Sequence, residues 1–337
     1  MSFVRTVEGD IDPAGLGVTY SHEHLVIDGG RPVEMFPDFR LDDVALMAGE
    51  LAPSVTLGLR SVVDAMPADA GRNVRKLAEI GRRAGVQVIA STGLHHTRYY
   101  APGHWSERAS DTELAELFVA DVTEGIDERD YGGPIVRRTE YRAGAVKVAG
   151  SEGGPSTRDQ RAFAAAAEAH RRTGVPILTH CEDGTGAPEQ VRFLTDRGVD
   201  PAHIVLSHVD KVVDRALHRD LLSAGVVLEY DQGFRWGARP NGTLDLIEWM
   251  LEDGLGDGIV LGMDAARQGY LRAYGGAPGL TWLLDEFSIA MADRGIDDAA
   301  RRRFFVDNPA RVFAFADAGV AGGPAPGASA SVEGRPA

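Results

Sequence analysis

Short apolar runs recur along this chain at intervals that leave room for one helix after each. Eight can be read, at 17–21, 59–64, 86–91, 143–148, 175–179, 203–207, 226–230 and 259–262. They are continuous rather than alternating, the pattern of parallel strands covered on both faces. The segments between them have helical character. In 73–83, Val74, Leu77, Ala78 and Ile80 fall near helical spacing, and 157–172 is rich in alanine, the strongest helix former. Segment 111–126 opens Asp-Thr-Glu-Leu, with Leu rather than Glu three residues after the Asp, so its capping signal is only partial. Pro176 and Pro201 stand just ahead of strand-like runs, where a helix would break. Strand and helix repeated eight times predict an α/β fold of the (β/α)8 TIM-barrel type.

Two segments fall outside this rhythm. The stretch from Val4 to His24 reads as a short hairpin leading into the first strand, with a turn at Asp-Pro-Ala-Gly. Residues 318–337 are Gly, Ala, Pro and Ser with few large apolar side chains, and are expected to be a disordered tail. The expectation is one barrel domain over 1–317. A chain of 337 residues suits it, because such barrels commonly use 250 residues or more.

Composition narrows the partners. The net charge is −15, from 35 basic and 50 acidic residues, and phosphate neutralisation by a nucleic-acid binder needs a basic surface instead. A single cysteine, Cys181, allows no intrachain disulfide and fits a reducing compartment. The N-terminal segment has no apolar core of a signal peptide, and no apolar stretch approaches the ~18 residues of a membrane span. A cytoplasmic protein with no membrane partner is expected. Barrels of this type often pair as homodimers, although no interface is legible here.

The ends of the runs carry the chemistry. His22 and His24 close the first, Lys147 lies in the fourth, His180 and His208 follow the fifth and sixth, and Asp264 follows the eighth. In a (β/α)8 barrel these ends converge on one face. Residues two apart in a strand share a side, so His22 and His24 can serve one ion, and imidazole suits divalent transition metals. Lys147, flanked by valines, would carry a large desolvation cost as an unpaired ammonium. A lysine carboxylated by CO2 would instead be a bridging anion. Cys181 should point away from His180 and is assigned to packing.

This ordered set, His-X-His, Lys, His, His, Asp, resembles the phosphotriesterase family of the amidohydrolase superfamily. The likeness runs from Val4 to about Phe315 and includes GVTYSHEHL, GVPILTHCEDG, VLSHVD and DNPARVF. It implies two divalent metal ions, zinc first with manganese, cobalt or iron as alternatives. His22, His24 and Asp264 would hold one ion, His180 and His208 the other, and carboxylated Lys147 would bridge them. Asp264 would double as the catalytic base for attack by metal-activated hydroxide.

The loops bear on the substrate. The one after the eighth run contains Arg267, Tyr270, Arg272 and Tyr274, and the one after the seventh contains Arg235 and Arg239. Loops at these two positions often build the phosphate site of such barrels, and the arginine fork suits phosphate or carboxylate. The spacing of Arg267 and Tyr270, and the segment TGLHHTRYYAPGHW with His95, resemble family members that open phosphorylated sugar lactones. A lactonase acting on a small anionic sugar lactone is therefore expected, with Arg267, Tyr270, Arg235 and His95 as substrate-binding residues. A phosphotriesterase of the aryldialkylphosphatase type, or a hydrolase of small N-acyl amides, is the alternative on the same centre. Leu94, Tyr99, Trp105, Phe234 and Trp236 would supply the apolar mouth such substrates need. A barrel that binds without catalysis is the remaining reading.

Overall fold

The computed structural model describes residues 2–237 and 240–316, so Arg239 and the expected tail lie outside the described residues. An antiparallel hairpin, β1 (Val4–Thr6) and β2 (Gly9–Ile11), comes first. Eight parallel strands follow: β3 (Val18–Glu23), β4 (Leu59–Asp64), β5 (Gln87–Leu94), β6 (Ala145–Gly150), β7 (Ile177–Cys181), β8 (Ile204–Ser207), β9 (Val227–Tyr230) and β10 (Ile259–Leu261). They pair in sequence order from β3 to β10. The barrel closes just beyond β10, where the Met263 and Asp264 amides reach His22 O at 3.3 and 3.0 Å. Gly262 permits this approach, since a Cβ there would lie 2.9 Å from the His22 backbone.

All eight expected runs are strands of this sheet. The third extends to Leu94, past its expected end, because Gly93 adopts φ +105° beside β6. A Cβ on Gly93 would fall 1.9 Å from Lys147 O, so glycine is what lets β5 stay paired at the height of the lysine.

The helices are α1 (Gly30–Met35), α2 (Val44–Thr56), α3 (Val74–Ala84), α4 (Asp111–Thr123), α5 (Asp159–Thr173), α6 (Ala187–Thr195), α7 (Arg215–Ser223), α8 (Gly242–Glu252), α9 (Glu286–Asp293), α10 (Asp298–Arg302) and α11 (Asn308–Val312). Among the described residues, no helix is long and apolar enough to cross a membrane. The start of α4 differs from expectation. The cap is Ser110, one residue earlier than the Asp-Thr-Glu-Leu reading, and Glu113 completes a reciprocal capping box with it. Counted from Ser110, the acidic residue does stand at the third position.

One apolar layer fills the barrel: Ile89, Ala145, Leu178, Val205, Val227 and Val260 point inward, with Val4, Leu16, Val312 and Phe313 packed against them. Side chains alternate along a strand, so the next inward position on each strand lies two residues on. Those positions are Ser91, Lys147, His180, Ser207, Glu229 and Gly262. The apolar plug thus forms the floor of a polar layer at the strand ends. Cys181 joins the outer core beneath the helices, on the face opposite His180, where burial pushes its thiol up to about 12.

The capping box has a direct test. Ser110→Ala should cost about 1 kcal/mol of stability in denaturant unfolding, and Asp111→Ala clearly less. The reverse order would restore Asp111 as the cap.

Candidate metal centre

A cavity of about 220 Å³ opens above the polar layer, and its walls include His22, His24, His95, Lys147, His180, His208 and Asp264. All six residues read from the strand ends therefore face one space. Asp264 Oδ1 lies 3.2 Å from His24 Nε2 and 3.7 Å from His22 Nε2. These three groups lie close enough to hold a metal ion together. The rings of His208 and His180 stand 4.6 Å apart, and His208 is 5.1 Å from His22.

Three of the cavity histidines each have one nitrogen engaged by a carboxyl group behind them. His22 Nδ1 donates to Glu229 Oε2 at 2.6 Å, His208 Nδ1 to Asp231 Oδ2 at 2.6 Å, and His180 Nε2 to Glu182 Oε2 at 2.8 Å. Against burial, His208 holds Asp231 below the usual carboxylate range, and the His180 hydrogen bond does the same for Glu182, so both can only accept and the opposite nitrogens of His208 and His180 keep their lone pairs. Burial pushes the Glu229 carboxyl well above its usual range, and His22 keeps its lone pair on Nε2 in the tautomer that donates to it. Burial lowers His22 well below the usual histidine range and His180 to about 3, so both are neutral and able to ligate. A second convergent group, His22, His208 and Asp231, is also present. Because the Asp231 carboxylate already holds His208 Nδ1, it orients that ring rather than competing as a ligand.

Asp264 is held from several sides. Burial opposes its ionisation, but the His24 hydrogen bond, His208, Arg235 and His22 together keep it well below the usual carboxylate range. Glu23, fully buried on β3, accepts the Met263 and Ala265 amides at 2.9 and 3.2 Å and so grips the backbone on both sides of Asp264. Asp264 and His208 have positive φ, +49° and +67°, in the left-handed region. That backbone turns each side chain into the cavity where a regular strand would end, and such conformations persist where surrounding contacts impose them.

Lys147 is fully buried, and among the described residues its ammonium donates only a long 3.4 Å contact to Ser207 Oγ. Burial lowers its pKa, against the opposing pull of Glu229, Asp264 and Asp231. An amine so placed, with carboxylates and neutral imidazoles around it, makes a donor set of the kind divalent metals take.

The expected substrate residues are placed unequally. His95, Arg235, Arg267 and Tyr270 all line the cavity. His95 Nδ1 accepts from the His96 amide at 2.6 Å, which leaves the hydrogen of its neutral form on Nε2. Arg235 donates to the Asp231, Met263 and Asp264 carbonyls at 2.7–2.9 Å and reaches Asp264 Oδ2 at 3.4 Å, so its fork is already occupied. Arg267 pairs with Asp38 at 2.8 Å and lies over the Phe39 ring. Arg272 and Tyr274 are absent from the lining, and of the expected apolar mouth only Tyr99 contributes. Trp105 donates to Asp69 instead, and Phe234 packs on Tyr270 and Trp282.

Sequence reasoning missed Glu182, Glu229, Asp231, Glu23 and Lys211. Glu229 and Asp231 were legible in principle: they sit two and four residues after the inward Val227, the first inside the run 226–230 taken as apolar and the second just after it. Lys211 follows His208 by three residues and also lines the cavity.

Known proteins share this fold. A phospho-furanose lactonase from Mycoplasmopsis synoviae is 33% identical over 324 residues, covering 93% of this chain and 92% of the relative. The crystal structure of an amidohydrolase from Mycoplasma synoviae superposes with a TM-score of 0.90 at 32% identity, over 94% and 93% of the two chains. A lactonase from Listeria monocytogenes superposes with a TM-score of 0.85 at 29% identity, over 93% and 99%. The sequence model of the phosphotriesterase family matches residues 2–313, and the chain belongs to that family of metal-dependent hydrolases.

Proposed function

We propose that the protein is a lactonase that opens a small phosphorylated or otherwise anionic sugar lactone at a two-metal centre. The observation that carries the substrate class is the charge of the cavity wall. In a chain of net charge −15, the lining includes Arg98, Lys211, Arg235 and Arg267. Arg98, Arg235 and Arg267 each have an acidic partner. Lys211 has none among the described residues, so its ammonium is free for an anionic group. The likeness to a phospho-furanose lactonase supports the same reading.

In this reading His22, His24 and Asp264 hold one ion and His180 and His208 the other, with Lys147 bridging as its carbamate. Zinc is the first choice, with manganese, cobalt or iron as alternatives. Carboxylation would turn a buried amine with a single weak contact into an anion matched to two cations. When bound, the metals would polarise the lactone carbonyl and lower the pKa of water.

The protein's own groups do the rest. Lys211, Arg267 and Tyr270 bind the anionic tail, and Tyr270 holds the Arg235 guanidinium 5.3 Å from its ring centre. The Asp264 carboxylate takes a proton from the attacking water and returns it to the ring oxygen as the carbonyl carbon–oxygen bond breaks. The product is the open hydroxy acid. Arg235 keeps Asp264 ionised and aimed rather than touching substrate. The single, buried Cys181 supports a cytoplasmic location as part of the same reading.

Ile27, Pro32, Phe39 and Met66 give the cavity an apolar side. That favours, as the second reading, a neutral aryl phosphotriester or a small N-acyl amide on the same centre.

Proton release on a substrate panel separates the two. Phosphorylated pentono- and hexonolactones should be preferred over their unphosphorylated forms, an N-acyl amide and an aryl phosphotriester. Equal turnover of charged and uncharged lactones would remove the anionic-tail assignment. Lys211→Ala and Arg267→Ala should each raise KM for the phosphorylated lactone by about 10- to 100-fold, the loss of one charge-assisted contact, with little change for a neutral lactone. Asp264→Asn should lower kcat by about 100- to 10,000-fold. Dialysis against a strong chelator should abolish hydrolysis, and zinc or manganese should restore it.

A further inference from the structure

The third histidine–carboxylate pair is built differently from the other two. Glu229 and Asp231 come from β9 and its continuation and are fully buried. Glu182 sits two residues after His180 on the same chain segment, and its side chain is 20% exposed at the cavity wall. It is gripped from the far side by Arg98, which donates to Oε1 at 3.0 Å and to Oε2 at 2.9 Å. Oε2 is also the atom that accepts from His180 Nε2 at 2.8 Å. His96 Nε2 approaches the same oxygen at 3.8 Å. Arg98 belongs to the loop after β5, whose His95 and Tyr99 form another part of the wall.

The consequences follow from geometry. A parallel two-bond pair fixes the plane of a carboxylate as well as its position. With that plane fixed, Glu182 fixes the rotation of the His180 ring and keeps the hydrogen on Nε2, leaving Nδ1 as the free lone pair. Without it, the ring of a neutral histidine can turn, or carry its hydrogen on Nδ1, and either change withdraws the donor. Among the described residues, no main-chain contact to the His180 side chain substitutes for this.

We propose that Glu182, clamped by Arg98, is the positioning residue of His180 and sets the occupancy of the ion that His180 helps to hold. The inference rests on the two-metal reading above. It also makes the loop after β5 part of the metal site through Arg98, although that loop supplies no ligand.

Zinc uptake by the metal-free full-length chain, measured in competition with a chromophoric chelator, tests this without recourse to activity. The wild type should take up two ions. Glu182→Ala should weaken one ion by about 10- to 100-fold and leave the other unchanged, the usual effect of losing such an outer partner. Glu182→Gln keeps an acceptor for His180 but loses the charge that holds Arg98, and Arg98→Met loosens the clamp from the other side. Both should show smaller losses of the same ion. The metal-free forms of all these variants should melt together with the wild type.

Three results would overturn the proposal. Unchanged uptake of both ions by Glu182→Ala is the first. Equal weakening of both ions with lower melting of the metal-free protein is the second, since it would make Glu182 a structural staple of the loop. The third is a His180→Ala variant that keeps the ion lost from Glu182→Ala, which would make Glu182 itself the ligand. Uptake of fewer than two ions by the wild type would instead overturn the two-metal reading, and this proposal with it.

Discussion

A neutral imidazole offers one lone pair, and the nitrogen that carries it is decided by what the other nitrogen touches. This constraint organises the whole mouth of the barrel. Glu229 holds His22 Nδ1, Asp231 holds His208 Nδ1, and Glu182 holds His180 Nε2. For Asp231 and Glu182, held below the usual carboxylate range, the engaged nitrogen must be the donor, because a carboxylate accepts. Burial keeps His22 and His180 uncharged, so protonation does not consume the remaining lone pair. The residues that would touch a metal are thus only half of the site. The other half is a set of acidic side chains placed behind them, Glu229 and Asp231 from β9 and its continuation and Glu182 just past β7, and the strand-borne residues of both halves rely on the period-two alternation of a strand.

That division explains which parts of the site were legible in the sequence. The ligand candidates stand at the ends of apolar runs, where a polar residue breaks the pattern, and all six converge as read. Glu229 and Asp231 lie where Val-Leu-Glu-Tyr-Asp passes for a strand with polar residues at its tip, so nothing marks them until the inward face is known. Glu182 is hidden for a different reason: its partner, Arg98, is distant in sequence. The fold was legible because eight separate runs repeat one rhythm. Helix α4 shows the limit, since a capping box shifted by one residue looks incomplete when counted from the wrong start. The apolar mouth failed for a similar reason. Trp105 and Phe234 are aromatic loop residues near the site in sequence, but Asp69 and Trp282 engage them elsewhere.

Charge at the cavity is arranged in two tiers. Deep in the mouth, acidic groups outnumber cations, which suits metal ions. Along the wall the cations collect, yet most already have partners. Arg235 shows why a cation near a site is not automatically a substrate residue. Its guanidinium satisfies three main-chain carbonyls and stands beside the Asp264 carboxylate, so removing it would leave acceptors unpaired in a buried place. Lys211 and Arg267 differ. One has no acidic partner among the described residues, and the other holds Asp38 at the exposed edge, where solvent weakens the pair. The rim cations are therefore the ones an anionic group would meet, while Arg235 is spent on the backbone around Asp264.

Asp264, which the proposed two-metal centre would use as both ligand and base, cannot be left to find its own position. It stands three residues beyond the last strand, in a left-handed backbone conformation that an unsupported loop would relax. Three separate contacts prevent this. The Asp264 amide is held by His22 O, the flanking amides by Glu23, and its own carbonyl by Arg235. Two of the three come from β3, the strand that carries His22 and is followed directly by His24. The first and last strands close the barrel by these bonds rather than by a regular ladder. The seam that completes the fold is thus also what sets Asp264 against its two histidines, and a change that loosened the seam would misplace the base before it unfolded the barrel.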